Sequence, residues 1–463
     1  MNTAITTINP STGRVLAVYD AWDRSRIDLV VDAAHAAAAA WGRQALEVRK
    51  AAVRRLAEQL RAQKDRFAGL ITAEMGKPLA EAAAELEKSA ITAIYYVDNT
   101  ERLLHDEEIV IDGVDAWVCY EPMGLILAVM PWNFPVWQVM RFAIPAIISG
   151  NGVLLKHSPN VTGCALALEQ LFRDAGLPEH LMRALVIAEP DVPREIERLI
   201  ADDRVAAVTL TGSNRAGAAV GAAAGRAAKK SVLELGGSDA FVVLDDADVA
   251  VAAASAVRAR YNNAGQSCVC AKRFIVSHKV VAEFTERFVA GVRSLKVGDP
   301  TAPSVQMGPL ARADLRDALQ RQLDQSLAAG AQLLAGGRAV AGDGFFFEPT
   351  VVANARPGMA VFDEETFGPL ASIAVAHDDE EAIRLANATP FGLSVSIWTA
   401  STPRGVQVAK WITSGAAFIN AVTASDARLP FGGTKKSGYG RELAAAGVRE
   451  FSNVRTYWVP KAV

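Results

Sequence analysis

The sequence predicts an α/β protein of more than one domain, built on parallel sheets with helices on both faces. Three observations lead there. The chain has 463 residues, too many for one hydrophobic core, which implies two or three domains. From Gly124 onward, short apolar runs alternate with helical patterns, as βαβ units do. A second block of the same alternation starts near Ala240 and runs to about Ile419. With 51% hydrophobic and 21% charged residues, the chain has the composition of a soluble globular protein.

The elements follow in chain order. Residues 24–104 read as long helices: Ala51, Leu56, Leu60 and then Phe67, Leu70, Ile71 recur at helical spacing, and Gly76-Lys77-Pro78 stops one helix. Ile109 to Tyr120 is rich in β-formers around Asp112-Gly113, which predicts a hairpin. Leu125 to Met130, Val153 to Lys156, Ala184 to Ile187 and Val205 to Thr211 read as short strands. Helical patterns at Val136–Ser149, Thr162–Ala175 and Pro193–Ala201 separate them. The tail Phe451 to Pro460 is aromatic and β-prone, and is expected to be an edge strand that pairs elsewhere. Residues 1–104 with 123–235 are expected to form one domain, 236–446 a second, and 105–122 with 447–463 a small β extension.

Bulk properties exclude several classes of function. A net charge of −3 leaves no electrostatic footprint for nucleic acid. No run reaches the roughly 18 apolar residues of a membrane span, and the start, Met1 to Pro10, lacks the basic and apolar regions of a secretory signal. Four scattered cysteines (Cys119, Cys164, Cys268, Cys270) fit a reducing, cytoplasmic setting. Cys268-Val269-Cys270 is too sparse for a zinc site, so no metal is expected.

Four segments carry chemistry: Pro131-Trp132-Asn133-Phe134-Pro135, Glu234-Leu235-Gly236-Gly237, Gly265-Gln266-Ser267-Cys268 and Glu364-Glu365-Thr366-Phe367-Gly368-Pro369. Singly each has an ordinary reading; a lone cysteine is most often inert packing. In this order they resemble the aldehyde dehydrogenase superfamily, from about residue 5 to the C-terminus. The resemblance implies a Rossmann-type nucleotide-binding domain, an α/β catalytic domain and a small β oligomerisation extension that makes a homodimer or homotetramer. It implies Cys268 as nucleophile, Glu234 as the base that activates a water, and Asn133 with the Cys268 backbone N–H as oxyanion hole.

The cofactor is expected to be NAD or NADP. The Gly-x-Gly-x-x-Gly fingerprint is absent. Instead, the strand ending at Thr211 is followed by Gly212-Ser213-Asn214-Arg215-Ala216-Gly217, which opens an Ala-rich helix whose N-terminus suits a pyrophosphate. A plain strand-to-helix turn reads the same way. A Walker-type loop is excluded, because no Lys-Ser/Thr follows Gly217. The resemblance adds Lys156 and Glu365 as ribose contacts, and Trp132 and Phe367 on the cofactor side of the site. NAD-preferring relatives carry a glutamate where this chain has Pro159, while His157 and Ser158 are potential donors to a 2′-phosphate.

The resemblance is closest to bacterial NAD(P)-dependent succinate-semialdehyde dehydrogenases. It rests on Lys156-His157-Ser158-Pro159-Asn160, on Gly265 to Cys270 and on Ala424 to Gly433. Arg141 lies eight positions after Asn133, about two helical turns into the following helix, and arginine suits bidentate carboxylate recognition. Ser425 or Arg428 is the candidate second carboxylate contact. A further arginine of some relatives, six residues before the nucleophile, is Asn262 here. Some relatives use Cys270 with the nucleophile as a redox switch, although a bridge over two residues is strained. The expected substrate is a small carboxylated aldehyde, most simply succinate semialdehyde, with glutarate semialdehyde as an alternative. An acylating enzyme and a non-catalytic scaffold are the other readings; keeping Asn133, Glu234 and Cys268 together opposes both.

Overall fold

The computed structural model describes residues 4–461. The chain opens with a hairpin, β1 (Ile5–Asn9) and β2 (Arg14–Tyr19). Four helices follow: α1 (Arg24–Gly42), α2 (Leu46–Ala62), α3 (Lys64–Met75) and α4 (Leu79–Leu103). Asp23 caps α1 by accepting from the Arg26 N–H at 2.8 Å. Gly76 ends α3 in the left-handed conformation, at φ 81°. A second hairpin, β3 (Glu107–Ile111) and β4 (Val114–Pro122), turns at Asp112-Gly113, as the sequence predicts.

The first large sheet contains β5 (Leu125–Met130), β6 (Gly152–His157), β7 (Met182–Ala184), β8 (Val205–Thr211) and β9 (Lys230–Glu234). Helices α5 (Trp137–Ile148), α6 (Thr162–Asp174), α7 (Val192–Ala201) and α8 (Asn214–Arg226) connect them. The third strand runs over Met182–Ala184 rather than Ala184 to Ile187. Beyond Ala184 the backbone is taken by other partners: Leu185 N–H donates to Leu155, and the Val186 carbonyl accepts from Trp22. The parallel strands β5 and β6 are buried on both faces, which is why they read as unbroken apolar runs.

The second large sheet begins at β10 (Asp239–Val243), which leads through α9 (Val249–Tyr261) to β11 (Ala271–Ser277). It adds β12 (Gln332–Ala335), β13 (Thr350–Ala353), β14 (Leu370–Ala376), β15 (Ser394–Trp398) and β16 (Ala416–Ile419). Its order is β12-β13-β14-β11-β10-β15-β16, parallel except for β12. The short strand β17 (Gly438–Tyr439) returns to the first sheet, whose order is β17-β9-β8-β5-β6-β7. The tail forms β18 (Ser452–Pro460), antiparallel to β4 over its whole length, in the sheet β18-β4-β3.

Strand order positions the site. In the first sheet β6 and β7 lie on one side of β5, and β8 and β9 on the other. The order in which the chain adds its parallel strands therefore reverses between β5 and β8, and the crevice at the carboxyl ends of strands at such a switch point is where ligands bind in open α/β sheets. Asn133, Lys156, Gly212 and Glu234 all sit at the carboxyl ends of strands of this sheet. In the second sheet, β11 and β14 are neighbours. The residues just before each of them are Cys268 and the segment Glu364 to Phe367.

Candidate active site

Cys268 sits on a strained turn. Asn263 and Ala264 both have φ 52°, and Gly265 follows at φ 71°. A Cβ on Gly265 would lie 2.4 Å from the Gly368 carbonyl oxygen, so only glycine fits there. Strain of this kind persists where its surroundings over-determine it. The Asn263 Nδ2 donates to the Asn133 carbonyl at 2.9 Å, and the Gln266 side chain accepts from the Ala311 N–H at 2.9 Å. The fully buried Lys272 Nζ donates to the carbonyls of Ser267 (3.0 Å) and Cys268 (2.9 Å).

Asn133 is tied to this turn. Its Nδ2 donates to the Gln266 carbonyl at 3.1 Å, and the side chain is buried. An amide NH2 carries two donors, so one N–H remains for another acceptor. Glu234 closes β9 and is buried, with no hydrogen-bond partner for its Oε1 among the described residues. Its backbone carbonyl accepts from the Gly212 N–H at 2.9 Å, which links the base to the helix-opening loop.

Burial keeps both reactive groups in their neutral forms. The Cys268 thiol is pushed up to about 12, first by desolvation; Arg141 and Lys272 oppose the rise, while Glu365 and Glu234 add to it. The Glu234 carboxyl is raised well above the ordinary range by burial and then by Glu442, against Arg141 and Arg441. Glu234 and Glu442 titrate as a pair around one guanidinium. Arg141 is ion-paired with Glu442, its guanidinium stands 4.5 Å from the Phe431 ring centroid, and Thr211 Oγ1 lies at 3.4 Å.

A cavity of about 390 Å³ reaches Cys268. Arg141, Ser425, Cys270 and Asn262 line it. Trp137 and Arg141, one helical turn apart on α5, present one face to it. Two cations that the sequence reading missed, Lys88 from α4 and Arg258 from α9, also line it, and no carboxylate does. Nothing in the sequence marks Lys88 as inward-facing; one lysine in a 25-residue helix reads as solvated.

Two expectations need correction. Arg428 does not reach the cavity: Asp426, two residues earlier, holds its guanidinium at 2.8 and 2.6 Å, and the side chain is 74% exposed. His157 is no donor to a phosphate. It is buried, with Nδ1 3.2 Å from the Met130 carbonyl and Nε2 2.8 Å from that of Pro135, and burial lowers it to about 4. It braces the segment that carries Asn133. Cys270 is also buried. Its thiol donates to the carbonyls of Gly265 (3.2 Å) and Ser267 (3.0 Å), and Arg260 Nη1 lies 2.7 Å from the sulfur.

Of the residues expected to hold a dinucleotide, Lys156 and Gly212 lie at the carboxyl ends of strands of the first sheet. Ser213 caps α8 by accepting from Ala216 N–H at 3.3 Å. A Cβ on Gly217 would run into Leu235 at 2.4 Å, so this glycine brings α8 close against the end of β9. Lys156 is buried with neither hydrogen bond nor ion pair among the described residues, and burial lowers it to about 8. A buried ammonium without a partner fits a ribose or phosphate oxygen. Ser158 Oγ donates to Asn160 Oδ1 at 2.7 Å. Glu365 Oε1 accepts from the Gly237 N–H at 3.0 Å and lies 3.6 Å from Lys272 Nζ. Trp132 and Phe367 meet edge to face at 5.6 Å.

Comparison with known proteins agrees with this geometry. The aldehyde dehydrogenase family model matches residues 1–457. The chain belongs to the aldehyde dehydrogenase family. Within it, the chain is 48% identical to the succinate semialdehyde dehydrogenase [NAD(P)+] of Escherichia coli (strain K12), over 97% of each protein. It is 43% identical to a probable succinate-semialdehyde dehydrogenase [NADP(+)] of Synechocystis sp., over 98% of this chain and 100% of the relative. The crystal structure of the succinic semialdehyde dehydrogenase of Streptococcus pyogenes, in complex with NADP+, superimposes with a TM-score of 0.95 at 37% identity, over 99% of this chain and 100% of that one.

Proposed function

We infer that this aldehyde dehydrogenase oxidises succinate semialdehyde to succinate with NAD(P)+. The observation that carries the reading is the cavity: it reaches Cys268 and, among the described residues, is lined by three cations and no carboxylate. Such a lining favours an aldehyde whose far end is an anion. The succinate-semialdehyde dehydrogenases among its relatives support the same substrate.

In the proposed mechanism, the Cys268 thiolate attacks the carbonyl carbon, because the neutral thiol is a poor nucleophile. The free N–H of Asn133 Nδ2 and the Cys268 backbone N–H hold the oxyanion. Lys156, Gly212, Ser213 and Glu365 would hold NAD(P)+, which would supply the acceptor for the hydride lost from the substrate carbon. A thioester on Cys268 remains. Deprotonated Glu234 then takes a proton from water, hydroxide adds to the thioester, and the acid and the thiol are released. Arg141 and Ser425, which both line the cavity, fix the distal carboxylate.

The small sheet β18-β4-β3 supports a homodimer or homotetramer. Its outer strand β3 is exposed along its length, with Val110 97% exposed. We also retain the sequence-based division into two domains and an extension as a proposal. No helix among the described residues is long and apolar enough to cross a membrane, and the four unpaired cysteines suit a cytoplasmic enzyme. The test is a steady-state panel: succinate semialdehyde, glutarate semialdehyde and uncharged aldehydes, each with NAD+ and with NADP+. Highest kcat/KM on succinate semialdehyde is expected. Equal values on uncharged aldehydes of the same length would overturn the substrate assignment.

A further inference from the structure

The cavity holds a cation that makes no ion pair among the described residues. Arg141 is ion-paired with Glu442. Lys88 is different. Its Nζ donates to Ser425 Oγ at 2.6 Å and stands 4.4 Å from the Trp137 ring centroid, and among the described residues it makes no ion pair. The carboxylates nearest to it are already engaged. Glu85, one turn earlier on α4, is held by Lys77 at 2.5 Å and accepts the N–H groups of Val136 and Trp137 at 2.8 Å. Asp426 is held by Arg428. A partly buried ammonium without a counter-ion is costly unless a ligand brings one.

We propose that Lys88 is a second specificity-determining cation of this enzyme, beside Arg141: with Ser425 it binds the distal carboxylate of the substrate. The proposal rests on reading the cavity as the site of a carboxylated aldehyde. It gives the second cationic contact to a residue of α4, whereas the residue six positions before Cys268 is the neutral Asn262. Three donors on one ammonium can serve Ser425 Oγ and the incoming carboxylate together. Lys88 adds to charge selection because the charge of Arg141 is balanced by Glu442 and Arg258 donates to Ser255 on its own helix, whereas the ammonium of Lys88 is held at Ser425.

The charged groups that face Lys88 are Glu85 on its own helix, Arg141 on α5, Asp426 on the loop after β16 and Arg258 on α9. Burial and then Arg141 lower Lys88 to about 8, against Glu85 and Asp426. The ammonium is therefore fully charged only well below pH 8, and its hold on a carboxylate is lost as the pH rises through that value.

The test compares wild type, K88M, K88R and R141A in the full-length enzyme, with succinate semialdehyde and butanal as substrates and succinate as competitive inhibitor. In K88M the ratio of kcat/KM for the semialdehyde to that for butanal should fall about tenfold or more, as expected for loss of a charge-assisted hydrogen bond. Succinate inhibition should weaken to match. K88R should restore both. In wild type the KM for the semialdehyde should climb above pH 8, and in K88R that climb should vanish, because arginine stays charged. The melting temperature of K88M should equal or exceed that of wild type, since an uncompensated charge has been removed; a merely structural lysine would lower it and leave the substrate ratio unchanged. A K88M enzyme that keeps the wild-type ratio while R141A loses it would overturn the role of Lys88 and leave the substrate reading intact. A wild-type enzyme indifferent to the carboxylate would overturn the substrate reading, and Lys88 with it.

Discussion

The two ends of the cavity solve opposite electrostatic problems. At the reacting end, Cys268, which lines the cavity, and Glu234, which is buried outside its lining, are desolvated and held in their neutral forms, so both must lose a proton to work. At the far end, Lys88, Arg141 and Arg258 are cations with no carboxylate among the lining residues. One guanidinium serves both ends: Arg141 lines the cavity, opposes the rise of Cys268 and Glu234, and is ion-paired with Glu442. The comparison teaches that substrate charge and catalytic protonation are coupled here. An anion placed on Arg141 weakens the cation that favours ionised Cys268 and Glu234.

Breaking the reacting end should have the largest effect. Cys268→Ala should reduce NAD(P)H formation by on the order of 10⁴-fold or more, since the other thiol lining the cavity, Cys270, is buried against the carbonyls of Gly265 and Ser267 and against Arg260. Residual turnover near the wild-type rate would show that the nucleophile is elsewhere. Glu234→Gln should form one equivalent of NAD(P)H per active site in a burst and then slow by about 10²- to 10⁴-fold, because only deacylation loses its base. A Glu234→Gln enzyme with wild-type steady-state rate would remove this glutamate from the mechanism.

The two ends also differ in how far the sequence revealed them. Cys268, Glu234 and Asn133 stand in local motifs whose neighbours are fixed by geometry: glycine at 265 because of the Gly368 carbonyl, prolines around Asn133 because that segment is irregular. Buried parallel strands such as β5 and β6 were readable for the same reason, since burial on both faces leaves a continuous apolar run. The far end is built from residues that only packing brings together. Lys88 and Ser425 are 337 positions apart. Arg428 looked equally suitable, and the carboxylate that diverts it lies in the same short segment. The hairpin β1–β2 escaped notice because β2 has no buried residue and so carries no apolar alternation. Strand β9 escaped because it opens on exposed Lys230.

Arg141→Ala sharpens the comparison at an intermediate scale. Losing a buried charged contact should cost about 2–5 kcal/mol in kcat/KM for succinate semialdehyde and much less for an uncharged aldehyde of equal length. Because this change also strands Glu442, the double variant Arg141→Met with Glu442→Gln separates the two effects. Selective loss that persists in the double variant assigns it to the carboxylate; loss confined to the single variant assigns it to the stranded Glu442. The coupling has its own, smaller signature. Glu442 raises Glu234, so Glu442→Gln should lower the Glu234 pKa and move the acid limb of the kcat–pH profile to lower pH. An unmoved limb would mean that the two carboxyls titrate independently.

The smallest expected effect separates two cysteines within the reacting end itself. Cys268 is half-buried and reached by the cavity, whereas Cys270 is buried with its thiol between two carbonyls and against Arg260. Bridging them requires Cys270 to leave all three partners, and the two-residue spacing adds strain. We propose that Cys270 nevertheless acts as the redox partner under mild peroxide, slowly and in part, because the strained bridge is easily reduced again. Activity lost to peroxide should then return with a dithiol, and the oxidised peptide should weigh two hydrogens less. Cys270→Ser should keep turnover within about threefold when reduced but lose the recovery, since the Cys268 sulfenic acid then has no neighbouring thiol and over-oxidises. If wild-type enzyme yields only sulfinic or sulfonic acid at Cys268, the hydrogen bonds that hold Cys270 outweigh the bridge, and Cys270 is a packing residue beneath the nucleophile.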